Sequence, residues 1–229
     1  MIPEGTTITV RGGRLRRGEG YAAASKANRQ YLVRMGAIVR LRALGRFHLH
    51  AAAVADKAGR VFILTGENGA GKSTLAYALV RSGWKLLGDD GVIVERAPLG
   101  TLALPWREPL AVSRALVSEF PELSAQASEP GYRDERDRVP VRAAMAKRGI
   151  VAALVFLRRG DEDRLEPMAP AEALATLIRQ SVLVMLPDGN SPEHLATLER
   201  LVSTTPLFRL THTSRQLHEI AATLSRTLA

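Results

Sequence analysis

The stretch Gly-Glu-Asn-Gly-Ala-Gly-Lys-Ser-Thr at residues 66–74, called the glycine loop below, constrains the fold of this chain more than any other feature. Its glycines let the backbone turn tightly and bring N–H groups up to an anion, while Lys72 adds a cation and Ser73 a hydroxyl that suits Mg²⁺. This is the Walker A pattern, and it predicts that the chain binds ATP with Mg²⁺. The predicted binding residues are Gly66, Glu67, Asn68, Gly69, Ala70, Gly71, Lys72, Ser73 and Thr74.

The sequence on either side of the glycine loop has the order that the motif requires. Residues 61–65, Val-Phe-Ile-Leu-Thr, are rich in β-branched and aromatic side chains, which is typical of a buried strand. After the loop, apolar residues recur at i, i+4 between Leu75 and Val80, and Gly83 stands where a helix commonly ends. A loop that only turns the chain would explain the glycines, but not the Lys-Ser pair that opens a helix.

The remaining pattern predicts an α/β fold with a central sheet flanked by helices, because strands and helices alternate along the chain. The other predicted strands are residues 6–10, 84–87, 92–94, 150–157 and 207–210. The other predicted helices are residues 22–45, residues 170–185, residues 191–202 with Ser191 as N-cap, and a last helix that begins with a capping box of Thr213 and Gln216. Residues 122–149 lack periodicity and carry mixed charges, so we expect a surface loop there.

Two neighbouring carboxylates, Asp89 and Asp90, follow the predicted strand at 84–87. A strand–helix–strand crossover returns the chain to the same sheet in the same direction, so this strand and the one before the glycine loop should end at the same edge. One aspartate could then hold Mg²⁺ beside the phosphates, and the other could accept a proton from an attacking hydroxyl. The alternative is a simple hairpin turn, since Asp90-Gly91 between apolar runs is a common hairpin signal.

Composition limits the other functions that this chain could have. The 229 residues include no cysteine, which excludes disulfides, cysteine–zinc sites and thiol nucleophiles. No stretch is apolar for long enough to span a bilayer, and no signal core follows the N-terminus, so we expect a cytoplasmic protein with no membrane partner. The net charge of +9 attracts anions, but no aromatic platform is interleaved with the arginines, so we expect no nucleic-acid partner.

With these residues, the chain resembles the catalytic domain of HPr kinase/phosphorylase and its shorter relatives. The resemblance covers about residues 45–95 and depends on His50, the glycine loop, Gly83 and Asp89-Asp90. It implies a P-loop kinase fold of the HPr-kinase type with Mg-ATP as the phosphate donor. It also implies that Asp90 is the catalytic acid/base, that Ser73 is a ligand of Mg²⁺, and that His50 is functional.

The predicted catalytic residues are therefore His50, Lys72, Asp89 and Asp90, and the predicted metal ligands are Ser73 and Asp89. The predicted organisation is an N-terminal extension at 1–45, packed on or flanking the core, followed by a P-loop kinase domain at 46–229. The sequence leaves open whether the chain forms a homo-oligomer, because the related full-length enzymes form one and a shortened chain need not.

Two departures from the family concern the phosphate acceptor. The family's Glu-Ile-Arg-Gly-Leu-Gly signature and its downstream catalytic arginine have no clear match in this sequence. We therefore expect transfer to a serine hydroxyl of a protein or peptide other than HPr, as in the similar short enzymes encoded with lasso-peptide genes. The alternatives are a small-molecule kinase, and a P-loop ATPase or nucleotide switch with no phosphoacceptor. An ABC-type ATPase would need a Leu-Ser-Gly-Gly signature, which is missing.

Overall fold

The computed structural model describes residues 8–11, 14–17, 25–106, 110–112, 114–126, 129–130, 137–139, 145–186, 189–213, 219–221 and 224. The strands are β1 (Ile8–Arg11), β2 (Arg14–Arg17), β3 (Phe47–Leu49), β4 (Ala52–Ala55), β5 (Val61–Gly66), β6 (Lys85–Gly88), β7 (Val92–Ala97), β8 (Gly100–Pro105), β9 (Leu110–Val112), β10 (Glu129–Pro130), β11 (Asp137–Val139), β12 (Gly149–Arg159), β13 (Arg164–Pro167) and β14 (Leu207–His212). The helices are α1 (Lys26–Arg42), α2 (Lys72–Arg81), α3 (Arg114–Glu119), α4 (Pro170–Gln180) and α5 (Ser191–Thr204).

A large curled sheet around the long strand β12 forms the centre of the molecule. β12 pairs in parallel with β5 on one side and with β14 on the other. The start of β12 also pairs antiparallel with β8, which continues the sheet through β7 to β3. Helices lie on both faces of this sheet, so the predicted α/β class is confirmed.

Apolar side chains pack on both faces of the central strands, which explains why β4 and β5 are buried along their whole length. Side chains of a strand alternate between faces, so Phe62 and Leu64 of β5 turn to the face covered by α2 and pack in one cluster with Leu75. Ile63 turns to the other face, where it packs in a second cluster with Leu177 of α4. The carboxyl end of β5 is therefore held rigidly between two core layers.

β6 runs in the same direction as β5, as the crossover argument predicted, but the two strands are not neighbours. β4 lies between them and pairs antiparallel with both. The short turn after β4 folds that strand directly back onto β5, so β6 takes the next free position in the sheet. Asp89 and Asp90 still emerge at the same edge as the glycine loop.

The segment predicted as a surface loop, 122–149, contains regular structure in its described parts. A 3₁₀ helix spans Pro121–Gln126, and β10 and β11 form a small sheet with β9. The loop prediction is wrong for these residues, because β9 lies earlier in the chain and supplies the pairing edge. Residues 127–128, 131–136 and 140–144 lie outside the description.

The predicted helices at 170–185 and 191–202 exist with different ends. α4 stops at Gln180, and a separate 3₁₀ helix follows at Val182–Met185. Asn190 is the N-cap of α5, so the prediction of Ser191 as N-cap is wrong. The hydroxyl of Ser191 instead donates to the Leu186 carbonyl, 2.7 Å away, and ties the preceding turn to the helix.

The predicted N-terminal extension contributes α1, which packs against β3. Its first turn is capped by Ser25, whose Oγ accepts from the Asn28 N–H at 3.2 Å. At its other end, the buried Arg42 lies with a guanidinium nitrogen 2.6 Å from Nδ1 of His194 in α5. These contacts fasten α1 to the core. The predicted domain boundary between residues 45 and 46 stays a prediction.

None of the helices in the described part of the chain has the length and apolarity that a membrane crossing needs.

Candidate functional site

The glycine loop connects β5 to α2, as the sequence predicts. A Cβ at Gly66 would lie 2.5 Å from the Leu157 carbonyl oxygen, so only glycine lets β5 and β12 approach this closely. Gly71 is the N-cap of α2 and has φ 90, a left-handed conformation that other residues adopt rarely. The first N–H groups of α2 and the positive end of its dipole face out at this point, where an anion would be stabilised.

Lys72 is buried and ties the two ends of the glycine loop together. Its Nζ donates to the carbonyl oxygen of Gly66 at 2.8 Å and to that of Glu67 at 3.0 Å. Thr74 follows in the first turn of α2 and is half-buried. The ammonium group therefore lies inside the loop, where it can bind the outer phosphates of a nucleotide.

Two side chains from neighbouring strands hold the outer side of the glycine loop. Arg159, at the end of β12, donates from Nε to the Gly69 carbonyl at 2.9 Å. The fully buried His212, at the end of β14, has Nε2 2.8 Å from the Ala70 carbonyl, so Nε2 carries the proton and donates it. The sequence offered no motif for either residue, since both lie far from the loop along the chain.

Ser73 and Asp89 meet at the base of the loop. The Ser73 hydroxyl donates to Oδ1 of Asp89 at 2.8 Å, and Asp89 is only 1% exposed. A hydroxyl and a carboxylate side by side are oxygen donors of the kind that Mg²⁺ prefers. Within the described ranges, no group of three or more histidine and acidic side chains is arranged for a metal ion. The pair fits a Mg²⁺ ion that takes its other ligands from phosphate oxygens and water.

Asp90 has different partners from Asp89 and is held by two basic side chains. Its Oδ1 lies 3.2 Å from Nδ1 of His50, and its Oδ2 lies 3.4 Å from the Arg34 guanidinium. Arg34 also donates to the Asp90 carbonyl at 3.2 Å. The backbone of Asp90 has φ 62, a left-handed conformation that aspartate tolerates better than most residues.

His50 joins Asp90 to the glycine loop. Its Nδ1 faces Asp90, and its Nε2 lies 3.3 Å from Oδ1 of Asn68. Carboxylate, imidazole and loop amide thus form one line of contacts at the carboxyl edge of the sheet. We call these contacts, from Asp90 through His50 to Asn68, the Asp90 line below.

The turn at Asp90-Gly91 does not form the hairpin that the sequence left as an alternative. β6 pairs with β4, whereas β7, which follows the turn, pairs with β3 and β8. The turn therefore carries the chain between two parts of the sheet. Its two aspartates contact different residues: Asp89 contacts Ser73, whereas Asp90 contacts His50 and Arg34.

His48 lies close to the Asp90 line and is kept neutral. Burial, chiefly, and then the positive charge of Arg34 lower the pKa of His48 from 6.5 to about 3; the weaker charge effects come from His50, Asp90 and His194. Its ring packs edge-on against Trp106. Because His48 does not titrate near neutral pH, it is no acid/base group of the site.

Stability should therefore fall in acid through His48. Between pH 6.5 and about 3 the unfolded chain binds a proton at His48 that the folded chain excludes, so stability is lost as the pH falls through this window. Replacing the imidazole in His48→Gln is expected to lower the slope of unfolding free energy against pH by about 1.4 kcal/mol per pH unit around pH 5. Urea unfolding at several pH values measures the slope. An unchanged slope would contradict the assignment.

An open cavity of about 930 Å³ lies beside the glycine loop on the face covered by α4. Its walls are residues 66–70 of the glycine loop, the end of β12, and one face of α4. The exposed Glu67 and Asn68 both line it. Four arginines also line it, and we call it the arginine cavity: Arg158, Arg159, Arg179 and Arg209.

The structure thus brings every residue of the predicted catalytic and metal sets to one edge of the sheet. It separates them into two groups, Ser73 with Asp89, and His50 with Asp90, with Lys72 inside the loop. Arg34 belongs with the second group and was not predicted, because no local pattern marks a helix residue that contacts a turn 56 positions later.

Comparison with known proteins adds one structural similarity to these observations. No protein-family model matches the chain, and no curated protein matches it. Among solved structures, the HPr(Ser) kinase/phosphatase from Coxiella burnetii is similar at 13% sequence identity, with 79% of this chain and 94% of that chain covered and a TM-score of 0.41. A similarity of this size identifies neither the family nor the activity of this chain.

Proposed function

We propose that this protein is a P-loop kinase of the HPr-kinase type that transfers the γ-phosphate of Mg-ATP to a serine hydroxyl of a protein or peptide. The observation that supports the proposal is the Asp90 line, which connects the carboxylate of Asp90 to the glycine loop through His50 and Asn68. A carboxylate held beside the loop suits the removal of a proton from an attacking hydroxyl, and the labelling test below decides whether that hydroxyl belongs to serine or to water.

In this proposal, the residues of the loop hold the donor. The backbone N–H groups at the start of α2 and the ammonium of Lys72 bind the phosphates and stabilise the charge that develops on them. Ser73 and Asp89 would hold Mg²⁺, which when bound supplies charge neutralisation at the β- and γ-phosphates. The loop stays in place because Arg159 and His212 fasten its carbonyl groups from outside.

Asp90 would act on the acceptor. Its carboxylate takes the proton from the serine Oγ while that oxygen forms a bond to the γ-phosphorus. The bond between the γ-phosphorus and the oxygen bridging to the β-phosphate breaks, and ADP leaves with that oxygen. Arg34 and His50 fix the carboxylate from two sides, so that it meets the hydroxyl in one orientation.

The test is transfer of label from γ-³²P-ATP in the presence of Mg²⁺ to serine-containing peptides and proteins, with lasso-peptide precursors among them because of the sequence resemblance. We expect acid-stable label on serine, found by phosphoamino-acid analysis. Label on a small metabolite would favour the small-molecule kinase. Release of free phosphate alone, with no labelled acceptor from a cell extract, would contradict the proposal and favour an ATPase or switch.

A further inference from the structure

The arginine cavity is lined by charged side chains of both signs. Four arginines and two glutamates line it, so its walls carry net positive charge. Arg209 is already neutralised, since its guanidinium pairs with Glu166 at 3.2 Å and with Glu172. Arg159 is held by the Gly69 carbonyl. Arg159 keeps its charge but uses Nε to hold the glycine loop, so the guanidinium groups best placed to bind a ligand are those of Arg158 and Arg179.

These two arginines are placed to bind an anion from solution. Both are exposed at the mouth of the cavity, one at the end of β12 and one on the last turn of α4. Arg179 donates to the neutral hydroxyl of Thr176 at 3.0 Å. No ion pair links Arg158 or Arg179 to a carboxylate among the residues that the structure describes. A guanidinium group that pairs with no carboxylate of its own protein can bind a ligand carboxylate in a bidentate geometry.

The apolar residues of the cavity make a nucleoside a poorer occupant. Phe156 and Leu157 are each only 4% exposed, and Met168 is 8% exposed, so they form a floor with little apolar surface to offer a base. Ligands held mainly by apolar contact need more of such surface. The polar and cationic walls favour an acidic ligand instead.

The cavity shares Asn68 with the Asp90 line. Asn68 lines the cavity and also contacts His50, which contacts Asp90. We infer that the arginine cavity binds an acidic peptide segment through Arg158 and Arg179. One part of this inference rests on the proposed kinase function: that the segment flanks the serine whose hydroxyl meets Asp90.

Fluorescence anisotropy with a labelled peptide, Glu-Asp-Glu-Ser-Glu-Asp-Glu, tests the inference without any turnover. The matched neutral peptide is Gln-Asn-Gln-Ser-Gln-Asn-Gln. We expect the double variant Arg158→Gln/Arg179→Gln to bind the acidic peptide at least about ten-fold more weakly than the wild type at about 0.15 M salt. The control is Arg148→Gln, an exposed arginine just before the opposite end of β12, which should bind normally.

Equal binding of both peptides, or equal loss in the control variant, would overturn the inference, because the general positive charge of the protein would then explain the binding. A double variant that binds the peptide normally but loses Mg-ATP would also overturn it and assign the cavity to the nucleotide. The kinase function is tested apart from this. If the arginines govern peptide binding but no serine is ever labelled, the peptide site stands and the proposed function fails. If serine is labelled, the double variant should raise KM for the acidic peptide about ten-fold with kcat nearly unchanged.

Discussion

Lys72→Ala is expected to raise the dissociation constant for Mg-ATP by about 100-fold or more. Lys72 places the one ammonium inside the glycine loop, where it is buried and held by the Gly66 and Glu67 carbonyls. Hydrogen bonds from a charged donor contribute about 1.5–3 kcal/mol each, and 2.7 kcal/mol corresponds to a hundred-fold change in affinity. Isothermal titration calorimetry with a non-hydrolysable ATP analogue and Mg²⁺ measures the change.

The loss has to be separated from a loss of folding, because Lys72 also ties the loop to itself. Thermal unfolding of Lys72→Ala should therefore be followed in parallel. Lys57→Ala is the matched control: Lys57 is exposed in the turn before β5, at the opposite end of that strand from the loop. If Lys72→Ala stayed folded and bound Mg-ATP as the wild type does, the glycine loop would not be the nucleotide site.

The part of the site that could be predicted from the sequence depends on local pattern and on one rule of topology. Local pattern is enough for three neighbouring features, which lie within about twenty residues of sequence: a buried β-rich run, a glycine loop and an apolar i, i+4 helix. The strand–helix–strand crossover then brings Asp89 to Ser73, and the structure places Ser73 Oγ 2.8 Å from Oδ1 of Asp89. What this reasoning could not give is the number of strands between the two, because the insertion of β4 depends on which edge is free.

The residues that fix the site from outside could not be predicted, for a different reason. Arg34 contacts Asp90 from 56 positions away, and His212 contacts Ala70 from 142 positions away. Such contacts depend on how whole elements pack, α1 on β3 and β14 beside β12, and no spacing in the sequence encodes that packing. The same applies to the arginine cavity, whose walls come from the glycine loop, the end of β12 and α4.

Asp90→Asn is expected to lower the rate of phosphate transfer by about 10²–10⁴-fold while leaving Mg-ATP binding unchanged. The amide keeps the size of the carboxylate but cannot take a proton, and general base catalysis contributes a factor of this order. Binding should be kept, because the Asp90 side chain contacts His50 and Arg34, and the nucleotide is held by the loop and Lys72. Single-turnover transfer of ³²P to the acceptor measures the rate, and calorimetry measures the binding.

The comparison with Asp89→Asn decides which aspartate has which role. Asp89 is buried against the Ser73 hydroxyl, so its variant should instead need more Mg²⁺ for half-maximal rate. Glu199→Gln, which removes an exposed carboxylate on α5, is the control and should keep both rate and metal dependence. If Asp90→Asn transferred phosphate at the wild-type rate, Asp90 would not be the base. If Asp89→Asn alone lost the rate at saturating Mg²⁺, the two roles would be exchanged, and Asp90 with its two basic neighbours would serve to orient the glycine loop through His50.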